Sequence, residues 1–309
     1  MTRNQWRTVA GGIAGVVLCL TGATLRPLAQ DAPAPASVWS ASLEDVRRAA
    51  RVLPGARPLR VNMIKFAESR RTKNFSVKGA PATPSVQART AFQVVYGDGT
   101  IMVDAGMDLA VHRFFGRGVE EPYFPDSAAQ VEAAVQRARM IVVTHEHGDH
   151  VAGVIRGSGA DALAAKTILT KSQIQTLLKA PQMPEIRLTP AQAGRFIVID
   201  YERPYPIAPG MALVKSPGHT PGSQMVYVAL ASGRELLLIG DTTWHMDGVR
   251  EIKEKDAPWI VEDTAALRAQ LTWLNGLART DPQLTVIASH DDEQHATLVQ
   301  QGVLATRFE

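Results

Sequence analysis

Apolar positions along the chain fall into two periods. Behind Asp126, Val131, Ala134, Val135 and Ala138 recur three and four apart, which predicts a helix from that cap through Arg137. Leu267, Leu271, Leu274 and Leu277 repeat in the same way behind Asp263. Ser42 caps a short helix through Arg51 that Pro54-Gly55 ends, and residues 171–179 read as another. Short apolar runs read as strands near residues 59–66, 91–96, 101–103, 140–143, 196–200, 212–215, 225–229, 235–239 and 284–288, with a hairpin about Asp98-Gly99. Helices and strands mix without strict alternation, which favours a layered α/β protein with two sheets over a barrel.

Composition narrows the class. A chain of 309 residues, 45% hydrophobic and 20% charged, is globular material rather than a coiled-coil, collagen-like or disordered sequence. Its first 29 residues stand apart. Arg3 and Arg7 precede an apolar run over residues 9–25, the pattern of a secretory signal, with an uncleaved membrane anchor through residues 8–25 as the rival. The expected organisation is a signal peptide or N-terminal anchor over 1–29, a linker and short helix over 30–57, and one domain over 58–309, exported to the periplasm or secreted. The formal charge of +3 belongs to that leader: without its three arginines the 33 basic residues fall to 30, equal to the 30 acidic ones. A balanced mature chain argues against a nucleic-acid partner and leaves a small molecule as the expected one. The one cysteine, Cys19, lies in the leader, so disulfides, cysteine zinc sites and a cysteine nucleophile are not expected.

The informative segment is Thr144-His145-Glu146-His147-Gly148-Asp149-His150, directly after a buried-looking strand. Residues two apart in an extended segment point the same way, so His145 and His147 can share a metal. Gly148 allows a sharp turn, beyond which Asp149 and His150 can face a second. Imidazole and carboxylate ligands suit zinc, with other divalent metals open. Further candidates each follow a predicted strand: His219 in Ser216-Pro217-Gly218-His219-Thr220-Pro221-Gly222-Ser223, Asp241 after Gly240, and His290 after Ser289. Glu146, between ligands and pointing away, reads as solvated or as a support. His112 reads as structural, His245 and His295 as outside the site, and Lys65, Arg70, Arg71 and Lys73 as a solvated basic loop.

From about residue 91 to residue 291 these motifs resemble the metallo-β-lactamase-fold hydrolase superfamily, through HxHxDH at 145–150, PGHTPGS at 217–223, GD at 240–241 and SH at 289–290. Asp104 in Val103-Asp104-Ala105-Gly106 looks like the family's early structural aspartate, which supports the metal loop. The resemblance implies an α/β fold, an αββα sandwich in a single domain, with its site at one edge. It further implies two zinc ions, one held by His145, His147 and His219, the other by Asp149, His150 and His290, with Asp241 bridging. The chemistry implied is hydrolysis of an ester or lactone by a hydroxide held between the metals, with Asp149 also carrying the released proton.

Substrate is read by exclusion. Secreted β-lactamases of this fold generally lack an acidic bridging ligand, whereas lactonases and organophosphate hydrolases share Asp241. The 19 residues after His290 are too few for the helical domain of glyoxalase II. No redox domain or nucleic-acid-clamping insertion is legible. A lactonase-like or organophosphate-hydrolase-like enzyme is therefore expected, with a β-lactamase as the alternative and a zinc-binding module as the non-enzyme alternative. Residues 107–124, with Phe114, Phe115, Tyr123 and Phe124, form either an apolar lip for an acyl or aryl group or a cover over a core edge. N-acyl-homoserine lactonases often carry a tyrosine three residues after the bridging aspartate, where this chain has Trp244.

Overall fold

The computed structural model describes residues 39–309. The expected signal or anchor over 1–29 and the first part of the expected linker, residues 30–38, lie outside the described residues. Among those described, no helix is long and apolar enough to cross a membrane.

The chain first builds α1 (Leu43–Ala49), β1 (Arg60–Thr72), α2 (Lys73–Ser76), β2 (Pro84–Tyr96), β3 (Gly99–Val103), α3 (Leu109–Gly116), α4 (Pro125–Arg137) and β4 (Met140–Val142). It continues with α5 (Gly148–Arg156), α6 (Ala160–Ala164), β5 (Thr167–Thr170), α7 (Lys171–Lys179), α8 (Pro190–Ala193) and β6 (Ile197–Ile199). Strands β1 to β6 lie side by side in sequence order in one sheet, antiparallel from β1 to β3 and parallel from β3 to β6. The rest is β7 (Tyr205–Ala208), β8 (Met211–Lys215), β9 (Gln224–Ala229), β10 (Glu235–Leu238), α9 (Met246–Glu251), α10 (Thr264–Thr280), β11 (Leu284–Ile287) and α11 (Asp292–Gln300). Its five strands form a second sheet in the order β11-β10-β9-β8-β7, with only β10 and β11 parallel.

Alternation along the strands sets the layers. In β9, Val226 and Val228 face the first sheet, and Met225 and Tyr227 pack with α1, α9 and α10. In β3, Ile101 and Val103 face the second sheet while Met102 joins α3, α4 and α5. Both sheets are thus buried on two faces, which is why their strands read as continuous apolar runs. Each aliphatic side chain taken wholly out of water there contributes roughly 1.5–3 kcal/mol. The result is the expected αββα sandwich. α1 is part of it: Val46 and Ala49 are buried against the second sheet.

Strand direction places the site. The C-terminal ends of β3 and β4 in one sheet, and of β8, β10 and β11 in the other, open at the same edge, and each runs straight into a candidate ligand or support. Beyond β4 the chain turns into α5, which carries Asp149 and His150 in its first turn. Gly153 lets α5 lie against the loop after β3; a Cβ there would meet the Ala105 carbonyl oxygen at 2.1 Å. Ala105 N–H in turn donates to the His150 carbonyl at 2.8 Å.

Two expectations need correction. The basic run is not a solvated loop: β1 extends through Thr72, and Lys65 pairs with Glu68 and Asp292 at 2.8 Å, Arg71 with Glu121 and Lys73 with Asp247. Strand β2 starts seven residues earlier than its apolar run, at Pro84, because residues 84–90 pair with β1 through a polar ladder.

Candidate metal centre

All seven candidate ligands converge at the sheet edge. Their ligand atoms fall into three overlapping groups, His145/His147/His219, His145/His150/Asp241 and Asp149/His150/His290, with atoms in each group within 4.8 Å of one another. Asp241 joins the sets through different oxygens. Its Oδ2 lies 3.4 Å from His219 Nε2 and 3.7 Å from His145 Nε2, while Oδ1 lies 3.1 Å from His290 Nε2 and 3.4 Å from His150 Nε2. The backbone bend before it uses Gly240 at φ 53°, where a Cβ would press on Thr144 at 3.1 Å.

Hydrogen bonds behind the rings aim them. His150 Nδ1–H donates to Asp104 Oδ2 at 2.8 Å, His219 Nδ1–H to Glu262 Oε1 at 2.5 Å and His290 Nδ1–H to the Ala88 carbonyl at 2.6 Å. His145 Nδ1 lies 3.2 Å from Thr144 Oγ1, which itself donates to Asp104 Oδ2. Four rings therefore turn Nε2 inward, the orientation that acceptors behind the ring fix in metal-bound histidines. His147 presents Nδ1 instead, 3.0 Å from His219 Nε2. Asp104, strained at φ 63°, also accepts from Thr144 N–H at 2.7 Å, in keeping with its expected supporting role.

The donor set fits a divalent cation. His145 Nε2 and His150 Nε2 are buried without a hydrogen-bond partner, a costly arrangement that a cation among these atoms would relieve. Burial holds His145 and His219 well below the ordinary imidazole range and His147 at about 4, so all three are neutral at neutral pH. Burial alone would raise the two carboxylates, but neighbouring imidazoles, with Arg89 added at Asp149, hold both well below their usual range. Burial also opposes a charge on His150; Asp149, Asp104 and Asp241 outweigh it and lift that ring well above its usual range. Neutral imidazoles and ionised carboxylates are the forms that bind metals, so His150 alone of these groups would give up a proton to a cation.

Four supports surround the ligands, and of these only Ser289, in the Ser289-His290 pair, lies within one of the sequence motifs. Arg89, buried on β2, ion-pairs with Asp149, has Nη1 3.4 Å from His290 Nε2 and stacks 4.8 Å over the Phe115 ring. Lys255 is buried, pairs with Glu262 at 2.9 Å and donates to the Asp241 carbonyl. Glu262 reaches His219 from 43 residues away, and Ser289 Oγ–H donates to Asp241 Oδ1.

The remaining candidates divide. Glu146 is buried, which corrects the solvated reading: it accepts from Thr220 Oγ1–H at 2.8 Å and Gly222 N–H at 3.2 Å, locking the His219 loop to the His145 loop. Trp244 Nε1–H donates to Asp241 Oδ2 at 2.7 Å. His245 caps α9, His295 Nε2–H donates to the Ala288 carbonyl at 2.7 Å, and His112 lies 3.2 Å from the Glu121 carbonyl; none enters the ligand groups. Of the proposed lip, Phe114 and Phe115 on α3 line a cavity of about 390 Å³ over the ligands, whereas Met107 is core and Tyr123 packs beneath it.

Residues 86–160 match the family model of the metallo-beta-lactamase superfamily. That matched segment includes the HxHxDH motif at 145–150. An N-acyl homoserine lactonase of Bacillus thuringiensis is 24% identical over 210 residues, 64% of this chain and 78% of the lactonase. Among solved structures, an N-acyl homoserine lactone hydrolase with N-hexanoyl-L-homoserine at its metal centre has a TM-score of 0.61 at 18% identity, covering 78% of this chain and 96% of that one. The dizinc quorum-quenching lactonase AidC has a TM-score of 0.53 at 13% identity, covering 77% and 91%. The metallo-β-lactamase fold is thus shared over the sandwich, and the family match with the lactonase relatives supports a metal-dependent hydrolase of lactonase-like kind.

Proposed function

We propose that the chain is a dinuclear zinc hydrolase that opens a lactone or cleaves an ester. The observation that carries the reading is Asp241, whose two oxygens face two different imidazole sets across one carboxylate. His145, His147 and His219 would hold one cation and Asp149, His150 and His290 the other. When bound, such a pair supplies Lewis acidity to the scissile carbonyl and makes water acidic enough to attack at neutral pH.

The protein's own residues do the rest. Trp244, Ser289 and Lys255 fix Asp241 from three sides, so its orientation needs no adjustment when substrate arrives. Glu262 and Asp104 hold His219 and His150 in the required tautomers. The recorded contacts of the Asp149 carboxylate all use Oδ2, leaving Oδ1 as the atom to take up a proton during turnover. Phe114, Phe115 and Trp244 give the cavity apolar walls for an acyl or aryl group. Export through residues 1–29 belongs to the same proposal and rests on Arg3, Arg7 and the apolar run that follows them.

The test is acid release from an N-acyl homoserine lactone and a simple γ-lactone by zinc-loaded protein, with a chelator control. Chelator-sensitive turnover is expected. No turnover of either lactone or of any simple ester, with two zinc ions bound, would sink the reading.

A further inference from the structure

The cavity over the ligands has an unbalanced charge. Apart from Asp149 and Asp241, which belong to the ligand set, every formally charged side chain lining it is an arginine: Arg71, Arg89 and Arg117. The three are committed to different degrees. Arg71 is satisfied, paired with Glu121 and donating to the Phe115 carbonyl at 2.8 Å, so it holds the α3 wall in place. Arg89 is shared with Asp149 and Ser69, and any cation drawn to Asp149 would leave more of its charge uncompensated. Arg117 has no carboxylate within ion-pair distance among the described residues; its guanidinium rests 4.8 Å over the Trp259 ring at the exposed rim.

A guanidinium steadied on an aromatic face keeps its planar fork of N–H donors free for a bidentate oxyanion. The same cavity is lined by ligands of the metal set and by the apolar faces of Phe115 and Trp244. We propose that this cavity selects acyl substrates whose apolar body ends in a carboxylate, with Arg117 as the group that grips that carboxylate and Arg89 adding to the positive field. The inference rests on the hydrolase reading for its reaction, but the carboxylate recognition can be measured without turnover. Hydrolysis itself adds water across the scissile C–O bond and leaves an acid and an alcohol, so the recognised carboxylate is unchanged by it.

The experiment compares two esters with the same reacting carbonyl, 4-nitrophenyl butyrate and the mono-4-nitrophenyl ester of glutaric acid, on the zinc-loaded full chain. In parallel, tryptophan fluorescence reports binding of 3-phenylpropionate, 3-phenylpropanol and phenyl phosphate, since Trp244 and Trp259 line the cavity. The expected result is a tenfold or greater preference in kcat/KM for the glutarate ester, and binding of 3-phenylpropionate but not of the alcohol. In Arg117→Asn, whose side chain tolerates the left-handed φ of 54° at this position, that preference drops at least fivefold, mainly through KM. Arg117→Lys restores part of it. Equal rates on both esters together with equal binding of acid and alcohol would overturn the proposal and leave the hydrolase reading standing. Binding of 3-phenylpropionate that weakens in Arg117→Asn, with neither ester hydrolysed, would do the reverse. Phenyl phosphate binding more tightly than 3-phenylpropionate would overturn the assignment to carboxylates.

Discussion

The two halves of the ligand set are built on opposite electrostatic plans. On the side of His145, His147 and His219 the rings are neutral, and the one anion behind them, Glu262, is itself tied to Lys255. On the side of Asp149, His150 and His290 there is a carboxylate in the set, a second carboxylate, Asp104, behind His150, and the Arg89 cation already resting on Asp149. The first half is an uncharged pocket of lone pairs that gains from any cation. The second is anionic and partly compensated from within the fold. Equal ligand counts therefore do not mean equal affinity: the first half is expected to bind its metal more tightly, and the second to exchange it more readily.

Removing the shared element should have the largest effect. Asp241→Asn keeps the shape but removes the one carboxylate charge that the two halves share, and is expected to lower turnover on the order of 10³-fold, the scale of losing a catalytic electrostatic group. Zinc content per chain, measured alongside, should fall for both halves. Glu262→Gln breaks the comparison on one side only. It leaves His219 without its charged acceptor and should weaken the tighter zinc by roughly 10–100-fold in a chelator competition, as losing the partner behind a metal-binding ring does.

Arg89→Met sharpens the comparison from the other side. Without the competing guanidinium the weaker zinc should bind about tenfold more tightly, a modest share of the ~4 kcal/mol that two unit charges 4 Å apart exert near a protein surface. An unchanged second binding constant in a calorimetric titration would show that Arg89 does not set it. Gly153→Ala acts on the same half through packing: with α5 pushed off the Ala105 carbonyl, stability should drop by about 1–3 kcal/mol in urea unfolding.

The smallest effect is on pH dependence without metal. Buried His112, His145, His147, His219 and His295 have depressed values in the fold, His147 at about 4. The unfolded chain binds protons on these rings first, near pH 6.5, so stability falls as pH drops from about 6.5 toward 4. His150 works the other way, its raised value adding stability below the unfolded value and losing it as pH rises, as do Glu146 and Glu262, whose carboxyls burial pushes up; these three groups stand against five rings. Metal-free protein should therefore melt lower at pH 5 than at pH 7, with the gap seen by differential scanning calorimetry.

How much of this was legible in the sequence depends on range. Ligands sit where a strand ends in a turn, so HxHxDH, PGHTPGS and the residues after Gly240 and Ser289 could be read locally, and the structure brings them together. Supports sit wherever the fold folds back. Glu262 looks like any residue before a helix cap, and Arg89 like any polar strand residue, until β2 is paired with β1 and set beside β11. Missed elements follow the same logic. β5 has only Ile168 and Leu169 between threonines and β7 is interrupted by Pro206, so neither shows as an apolar run, and the first turn of α5 is also the metal motif. Residues 84–90 have no apolar alternation because that end of β2 pairs through charged and polar partners.

The most direct test of the account is a zinc titration of the chelator-stripped full chain by isothermal calorimetry, with bound metal counted by atomic emission. The account predicts two equivalents per chain with separable affinities, and loss of the separation, with weakened binding of both, in Asp241→Asn. A single equivalent in the native chain, or two equivalents that Asp241→Asn leaves untouched, would contradict it.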